Sequence, residues 1–542
     1  MPKREGSEKM CYPHIEKRNG QKMLVVKGEP FTMLAGEVHN SNSSSLAYME
    51  KVWSHAEKLG MNSLLIPVTW ELTEPEEGTF DFSLVDGLIA QARERNMKIG
   101  LLWFGAWKNA QCYYAPEWVK RDLTRFKRAQ MEKGKNLIHR MDFYGMPYTT
   151  LSYLCEETRN ADAKAFAALM AHIREMDGEE NTVIVVQVEN ETGVMSAARE
   201  HSDEADTLFY GQAPQDFVDY MKAHTAAMVP QVREAVEAGA ESGTWKAVFG
   251  SWAEEIFSAY HVARYVNTVA EAGKKAYSLP MAVNCWLDKG EAAGKFPSGG
   301  PVSRVMEVWQ YCAPSIDIIA PDIYVPNFVD ICDEYTRRGT PLFIPECATH
   351  SYAASRLLYT VGHYHAMCYS PFGFEDIGKP FSASQSYLFG VDVTDPALKT
   401  PQSIEEYSAV SGFLRSMLPM LTARYGSRDL QAVSGEKPED DKMLFGTFGF
   451  QVMVDSPMLP GKNGGCLAWK ESEDTFYLLV TNAALAWFSA DPARPNVDVL
   501  ALEEGHFENG RWIRGRRLNG DEVTITMYKE PTLLRLKLLA YH

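Results

Sequence analysis

The chain has 542 residues, too many for one ordinary domain, so two or three are expected. A composition of 45% hydrophobic and 23% charged residues is that of a chain with a large buried core, which excludes disorder. The 54 basic and 71 acidic side chains give a formal charge of −17, and such an acidic surface repels phosphate backbones, which argues against a nucleic-acid partner.

Met1-Pro2-Lys3-Arg4-Glu5-Gly6-Ser7-Glu8-Lys9 has no apolar segment behind its charges, so no secretory signal is expected and the cytosol is the expected location. No run approaches the roughly 20 apolar residues of a membrane-spanning helix, so no membrane partner is expected either. The nine cysteines are irregularly spaced and show no zinc pattern. The turn signal Asn19-Gly20, followed by Met23-Leu24-Val25-Val26, predicts a hairpin packed on the main domain, occupying residues 1–30.

From about residue 31 short apolar runs alternate with helical patterns, which is how a parallel α/β sheet reads. The predicted strands are Phe31–Val38, Asn62–Val68, Lys98–Phe104, Thr182–Val188, Met281–Cys285, Ile316–Ala320, Pro341–Pro345 and Ala366–Ser370. Amphipathic helices fit between them, for example Leu46–Leu59, Ser83–Asn96 and Ala161–Met176. Eight strands with intervening helices and no Gly-rich phosphate loop predict a (β/α)8 TIM barrel over residues 31–422, closed by a helix at Ile404–Leu421. The texture then changes to short strand-like runs, namely Leu444–Val454, Thr475–Thr481, Val497–Leu502, Val523–Tyr528 and Thr532–Leu539. Turn signals separate them, which predicts an antiparallel β-sandwich over 423–542, with 435–442 as a solvated loop.

Barrel enzymes place their catalytic groups at the C-terminal strand ends. The fourth predicted strand delivers Glu189-Asn190-Glu191 there, and alternation sends both glutamates to one face, so periodicity leaves open which one faces the pocket. The competing reading is a salt-bridged strand end. The seventh predicted strand delivers Glu346 in Phe343-Ile344-Pro345-Glu346-Cys347, with no flanking charge to pair with it. A lone carboxylate in this setting is costly unless it is paired or exposed at a mouth. Two carboxylates about 5 Å apart across a barrel suit hydrolysis of a glycoside with retention, one attacking ionised and the other beginning protonated.

These residues carry a resemblance. Asn-Glu ending the fourth strand and Glu ending the seventh are similar to the clan A glycoside hydrolases. Val186-Gln187-Val188-Glu189-Asn190-Glu191-Thr192-Gly193 resembles family 35, the β-galactosidases. So do Ala35-Gly36-Glu37-Val38-His39-Asn40, Trp70-Glu71-Leu72-Thr73-Glu74-Pro75 and Gly78-Thr79-Phe80-Asp81-Phe82. The C-terminal part resembles the β-domain of a bacterial branch of that family. The resemblance implies Glu191 as acid/base, Glu346 as nucleophile and Asn190 as a ligand of the sugar 2-hydroxyl. It implies an exo-acting, retaining β-galactosidase of oligosaccharides or glycoconjugates. The alternatives are another glycone (β-glucoside, β-fucoside, α-L-arabinopyranoside) and a catalytically silent sugar-binding protein.

The sequence departs from the family at two places that contact sugar hydroxyls: Pro67 replaces a Tyr, and Phe104-Gly105-Ala106-Trp107-Lys108-Asn109 replaces a Cys-Ala-Glu-Trp motif. The further candidates for substrate binding are Glu37, His39, Trp107, Asn109, Tyr324, Trp286 and Phe374, with Tyr324 also placed to hydrogen-bond the nucleophile. For each aromatic residue the competing reading is plain packing, and for Glu375 a surface ion pair. No cofactor and no metal are called for. His363 and His365, two apart, read as packing before they read as ligands. The oligomeric state is left open, with a homo-oligomer the commonest outcome for soluble chains.

Overall fold

The computed structural model describes residues 12–136, 149–380 and 399–542, and the backbone alone of 138–139 and 147–148. The charged start at Met1–Lys9 lies outside the described residues. His14–Arg18 and Gln21–Val26 pair as an antiparallel hairpin. Its turn residues Asn19 (φ 50°) and Gly20 (φ 82°) both take the left-handed backbone that a two-residue turn matching strand twist requires. Leu24 and Val26 pack among Met33, Leu65, Leu102, Ile184 and Phe343, which plugs the barrel interior from below.

The barrel strands are β1 (Met33–Glu37), β2 (Ser63–Thr69), β3 (Lys98–Lys108), β4 (Val183–Asn190), β5 (Met281–Trp286), β6 (Ile318–Asp322), β7 (Phe343–Ile344) and β8 (Cys368–Tyr369). They hydrogen-bond in the order β6-β5-β4-β3-β2-β1-β8-β7. A parallel bridge between Ile323 and Cys347, with Ile323 N–H donating to Glu346 O at 2.9 Å, joins the two ends of the sheet. The closing seam therefore runs through the backbone of Glu346.

The helices form for legible reasons. In α1 (Leu46–Lys58) the buried residues Met49, Val52, Trp53 and Ala56 recur at helical spacing, and Ser45 caps the start by accepting from Tyr48 N–H. In α2 (Ser83–Glu94) Val85, Leu88, Ile89 and Ala92 do the same. The helix α3 (Glu156–Asp177) begins five residues before the predicted Ala161 and buries Asp162 among its apolar residues. It packs on α4 (Ala253–Ala276), the long helix before β5.

After α5 (Ile404–Thr422) the chain forms two antiparallel sheets. The larger joins β9 (Leu430–Ser434), β12 (Gly465–Lys470), β13 (Thr475–Thr481), β18 (Thr532–Tyr541), β15 (Asn496–Glu508) and β16 (Arg511–Arg517) in that order. The smaller joins β10 (Lys442–Phe445), β11 (Phe448–Met453), β14 (Ala483–Ser489) and β17 (Met527–Tyr528). Phe445, Phe450, Phe476 and Leu534 fill the space between the sheets. The other face of the larger sheet, through Leu467, Trp469 and Leu479, joins the core of the barrel.

Three expectations are corrected here. Leu444–Val454 is not one strand but a hairpin, because Gly446 (φ 69°) reverses the chain. Val523–Tyr528 shortens to Met527–Tyr528 behind a 3-10 turn at Asp521–Val523. The 435–442 segment is not wholly solvated, since Glu436 forms a two-point ion pair with the buried Arg356 (2.6 and 2.8 Å). Among the described residues, no helix is long and apolar enough to cross a membrane.

Candidate active site

The C-terminal ends of the strands surround a cavity of about 620 Å³, including its open mouth. Asn40, Lys108, Asn109, Glu191, Trp286 and Tyr324 contribute to its wall, with Asp322, Glu346 and Phe372 beside them.

The fourth strand resolves its own ambiguity through its backbone. Glu189 (φ 63°) and Glu191 (φ 43°) are both left-handed, a conformation that costs a residue with a Cβ roughly 1–3 kcal/mol and persists only where the surroundings impose it. Alternation therefore fails, and the two glutamates part. Glu189 turns into the wall between β3, α3 and α4. Its Oε1 accepts from Ala106 N–H (3.2 Å) and its Oε2 from Trp107 N–H (2.8 Å). Asp162 lies against it, accepting from Trp103 Nε1–H (2.9 Å) and Tyr265 O–H (3.0 Å). Gly105 makes this approach feasible, since a Cβ there would stand 2.6 Å from Glu189 Oε1 and 2.7 Å from Asp162 Oδ1. Burial, and then the charge of Asp162, holds the Glu189 carboxyl well above the usual range.

Glu191 instead lines the cavity, and its N–H donates to Asn284 Oδ1 at 3.0 Å. Glu346, 4% exposed, lies opposite it. Carboxylate oxygens of Glu191, Asp322 and Glu346 all come within 4.8 Å of one another. Glu346 is held at both oxygens. Oε1 accepts from Asn190 Nδ2 (3.2 Å) and Asn284 Nδ2 (3.4 Å), while Oε2 accepts from Tyr324 O–H (2.8 Å). Burial and the adjacent Glu346 push the Tyr324 hydroxyl well above its ordinary pKa, so it stays a donor.

A cation completes the cluster. Lys108 Nζ stands 3.7 Å from Glu346 Oε1, with both side chains almost fully buried. The pairing of β3 with β4 shifts register between Trp103 and Lys108, and this irregularity re-aims Lys108 into the cavity. Burial disfavours the ammonium, but Glu346, Glu191, Glu37 and Asp322 outweigh it and leave the lysine above its ordinary pKa. Burial and then Glu346 push the carboxyls of Glu37 and Asp322 well up. Glu191, Asp322 and Glu346 also have the spacing of a metal trio, but the positive charge between these groups already comes from Lys108.

The site candidates distribute unevenly around this cavity. Glu191, Glu346, Asn190, Tyr324, Trp286 and Asn109 come together there, and Glu37 is buried next to them with neither carboxylate oxygen hydrogen-bonded within the structure. Trp107 does not line the cavity. It is fully buried and packs edge-on against Tyr265 (4.6 Å), because the same strand irregularity that turns Lys108 inward turns Trp107 outward. Phe374 is core as well, lying over Gly36, where a Cβ would approach its ring to 2.5 Å; Phe372 lines the cavity in its place. His39 sits beside the cavity, hydrogen-bonded through Nε2 to Asp376 (2.8 Å). Glu375 accepts from His39 N–H and from Asn42, which makes it a loop anchor rather than a surface ion pair. Trp70 and Glu74 of the second-strand motif clamp the loop to Gly78, Nε1–H and N–H both donating to the Glu74 carboxylate (2.8 and 2.7 Å). His363 and His365 stack on Tyr359 and Tyr425 respectively.

Lys108 and Asp322 were not singled out by sequence reasoning as site residues. For Lys108 a signal existed, since it lies in the segment that departs from the family pattern. For Asp322 the signal was its position at a strand end in Pro321-Asp322-Ile323-Tyr324.

Residues 23–104, from the hairpin through most of β3, match the family model described as glycosyl hydrolases family 35. Residues 410–527 match a domain of unknown function (DUF5597), from within α5 through most of both C-terminal sheets. No curated protein matches the chain. Solved structures similar to it include a β-galactosidase from the psychrophilic Marinomonas ef1, 11% identical over 72% of this chain and 60% of that one, with a TM-score of 0.45. A β-galactosidase from Bacillus circulans sp. alkalophilus is 12% identical over 72% of this chain and 57% of that one (TM-score 0.42). The catalytic domain of a β-amylase from Paenibacillus polymyxa is 11% identical over 67% of this chain and 98% of that one (TM-score 0.42). The chain thus spans 57–60% of the length of these two β-galactosidases.

Proposed function

We propose that this chain is a retaining exo-β-glycosidase, with a terminal β-D-galactoside as its first-choice substrate. The observation that carries the reading is the approach of Glu191 and Glu346 oxygens to within 4.8 Å, close to the roughly 5–5.5 Å carboxyl separation of retaining enzymes. In the first step Glu346 attacks the anomeric carbon while Glu191 gives its proton to the departing glycosidic oxygen. In the second, Glu191 takes a proton from water, and the water displaces Glu346 with a second inversion. Tyr324 and Asn190 hold the nucleophile in one orientation, so little reorganisation precedes attack. Asn190 Oδ1 and Asp322 Oδ1 are buried acceptors without a protein donor, available for sugar hydroxyls.

The same mechanism on another glycone is favoured by one observation, the ammonium of Lys108 in the cavity wall, within the segment that departs from the Cys-Ala-Glu-Trp motif. A panel of nitrophenyl glycosides separates the sugars. Treatment with the matching 2-fluoro glycoside should label Glu346, found by peptide mapping. Inverted product stereochemistry, or a label elsewhere, rules out the retaining mechanism. Sugar binding without turnover of any activated glycoside would favour a silent binding protein.

A further inference from the structure

Four carboxyl groups and one phenol converge on this cavity, and the carboxylate charges oppose one another. Glu37 comes from the end of β1, Glu191 follows β4, Asp322 ends β6 with Tyr324 two residues beyond it, and Glu346 follows β7. Cys347 adds a buried thiol beside Glu346, and its pKa is pushed up to about 12 by burial. Glu346 has Asp322 and Glu191 within 4.8 Å, and its charge raises the pKa of Glu37. Left to themselves, closely spaced carboxyls share protons instead of all ionising. A nucleophile that shares a proton cannot attack.

Lys108 is the cation set among them. Its Nζ lies 3.7 Å from Glu346 Oε1, beyond hydrogen-bond range but well inside the distance at which opposite charges act strongly in a buried site. Oε1 meanwhile accepts from the amides of Asn190 and Asn284, so the ammonium acts on Glu346 by its charge rather than as a further hydrogen-bond donor. Its position is built rather than incidental. The β3 irregularity that aims it is held by Glu189 through the N–H groups of Ala106 and Trp107, and Lys108 N–H is itself fixed to Gln111 O (2.8 Å). The Phe104 and Phe372 rings lie 5.0 and 5.8 Å from Nζ and present their faces to it, which favours a cation there.

We propose that Lys108 is the positioning residue of the nucleophile, its ammonium keeping Glu346 ionised amid the surrounding carboxyl groups. This deepens the glycosidase reading and rests on it for the meaning of Glu346, but the charge relation itself is measurable without turnover. An opposite charge at this range lowers a carboxyl pKa by about 1–3 pH units.

The experiment compares wild type, Lys108→Met and Lys108→Arg by ¹³C-carboxyl NMR of glutamate-labelled protein, with Glu346→Gln assigning the resonance. The Glu346 titration midpoint should rise by about 1–3 pH units in Lys108→Met and stay near wild type in Lys108→Arg. On the best aryl glycoside from the panel, the acidic limb of kcat/KM should move up by the same amount in Lys108→Met alone. An unmoved midpoint in a Lys108→Met protein that melts like wild type overturns the inference. If wild type cleaves no glycoside, the glycosidase reading falls, while the NMR titration still decides the role of Lys108.

Discussion

Two buried carboxyl clusters flank the end of β4, separated by a single residue. On the wall side, Glu189 and Asp162 accept from two backbone N–H groups, an indole and a phenol. On the cavity side, Glu191, Glu346 and Asp322 face an ammonium and open space, and acceptor atoms of Asn190 and Asp322 have no protein donor. Both clusters have carboxyl pKa values displaced upward by burial. Burial and displaced pKa values therefore do not by themselves mark a site. What distinguishes the two is satisfaction: the wall cluster is closed by protein donors, whereas the cavity cluster holds back hydrogen-bonding capacity for a ligand.

The comparison can be broken most directly at the proposed nucleophile. Glu346→Gln should lower turnover of every activated glycoside by roughly 10⁴-fold or more while leaving the melting temperature near wild type. Retained turnover would place the chemistry elsewhere. Next in size, Glu191→Ala should cost about 10²–10⁴-fold on substrates with poor leaving groups, and much less on dinitrophenyl glycosides, which need no acid. It should also remove the alkaline limb of the pH profile. Tyr324→Phe deletes a hydrogen bond to a charged acceptor, worth about 1.5–3 kcal/mol, so kcat/KM should fall by roughly 10–100-fold. An unchanged kcat/KM would mean that the contact is not kept in the transition state.

The smallest effect on turnover is expected on the wall side. Glu189→Gln keeps one oxygen to accept from β3 and can donate to Asp162, leaving one of the two N–H groups unpaired; that should cost stability about 1–3 kcal/mol while activity remains within about 1 kcal/mol of wild type. Because the folded protein holds the Glu189 proton more tightly than the unfolded chain does, this group's contribution to stability is full below pH about 4.5. It is lost as pH rises toward the elevated folded-state value. Glu189→Gln should therefore reduce the loss of stability between pH 5 and 8, measured by urea denaturation. Glu189→Ala, in contrast, leaves two buried N–H groups unpaired and should cost roughly 2–4 kcal/mol. If Glu189→Gln were as inactive as Glu191→Ala, the division between wall and cavity would be wrong.

Much of the fold was legible because barrel strands buried on both faces read as continuous apolar runs, and all eight fall within or overlap the predicted segments. The C-terminal sheets were less so. Gly465–Lys470 and Ala483–Ser489 carry small residues and follow turn signals closely, so their runs do not stand out. In the site, Glu346 and Tyr324 were readable because each follows a short strand directly. Trp107 and Phe374 were misplaced because an aromatic residue after a strand has the same local pattern whether it lines a cavity or packs beneath it.

The sequence by itself determined that two carboxylates stand at the mouth of a parallel barrel. Apolar strand runs and their polar ends are local properties that survive without knowledge of neighbours. Only the tertiary structure decided that Glu191 faces the cavity, that Glu189 braces the wall, and that Lys108 lies beside Glu346. Those orientations depend on left-handed backbone at Glu189 and Glu191 and a register shift in β3. Such conformations are unfavourable locally and are held by contacts from α3, α4 and β5, which lie far away in the chain.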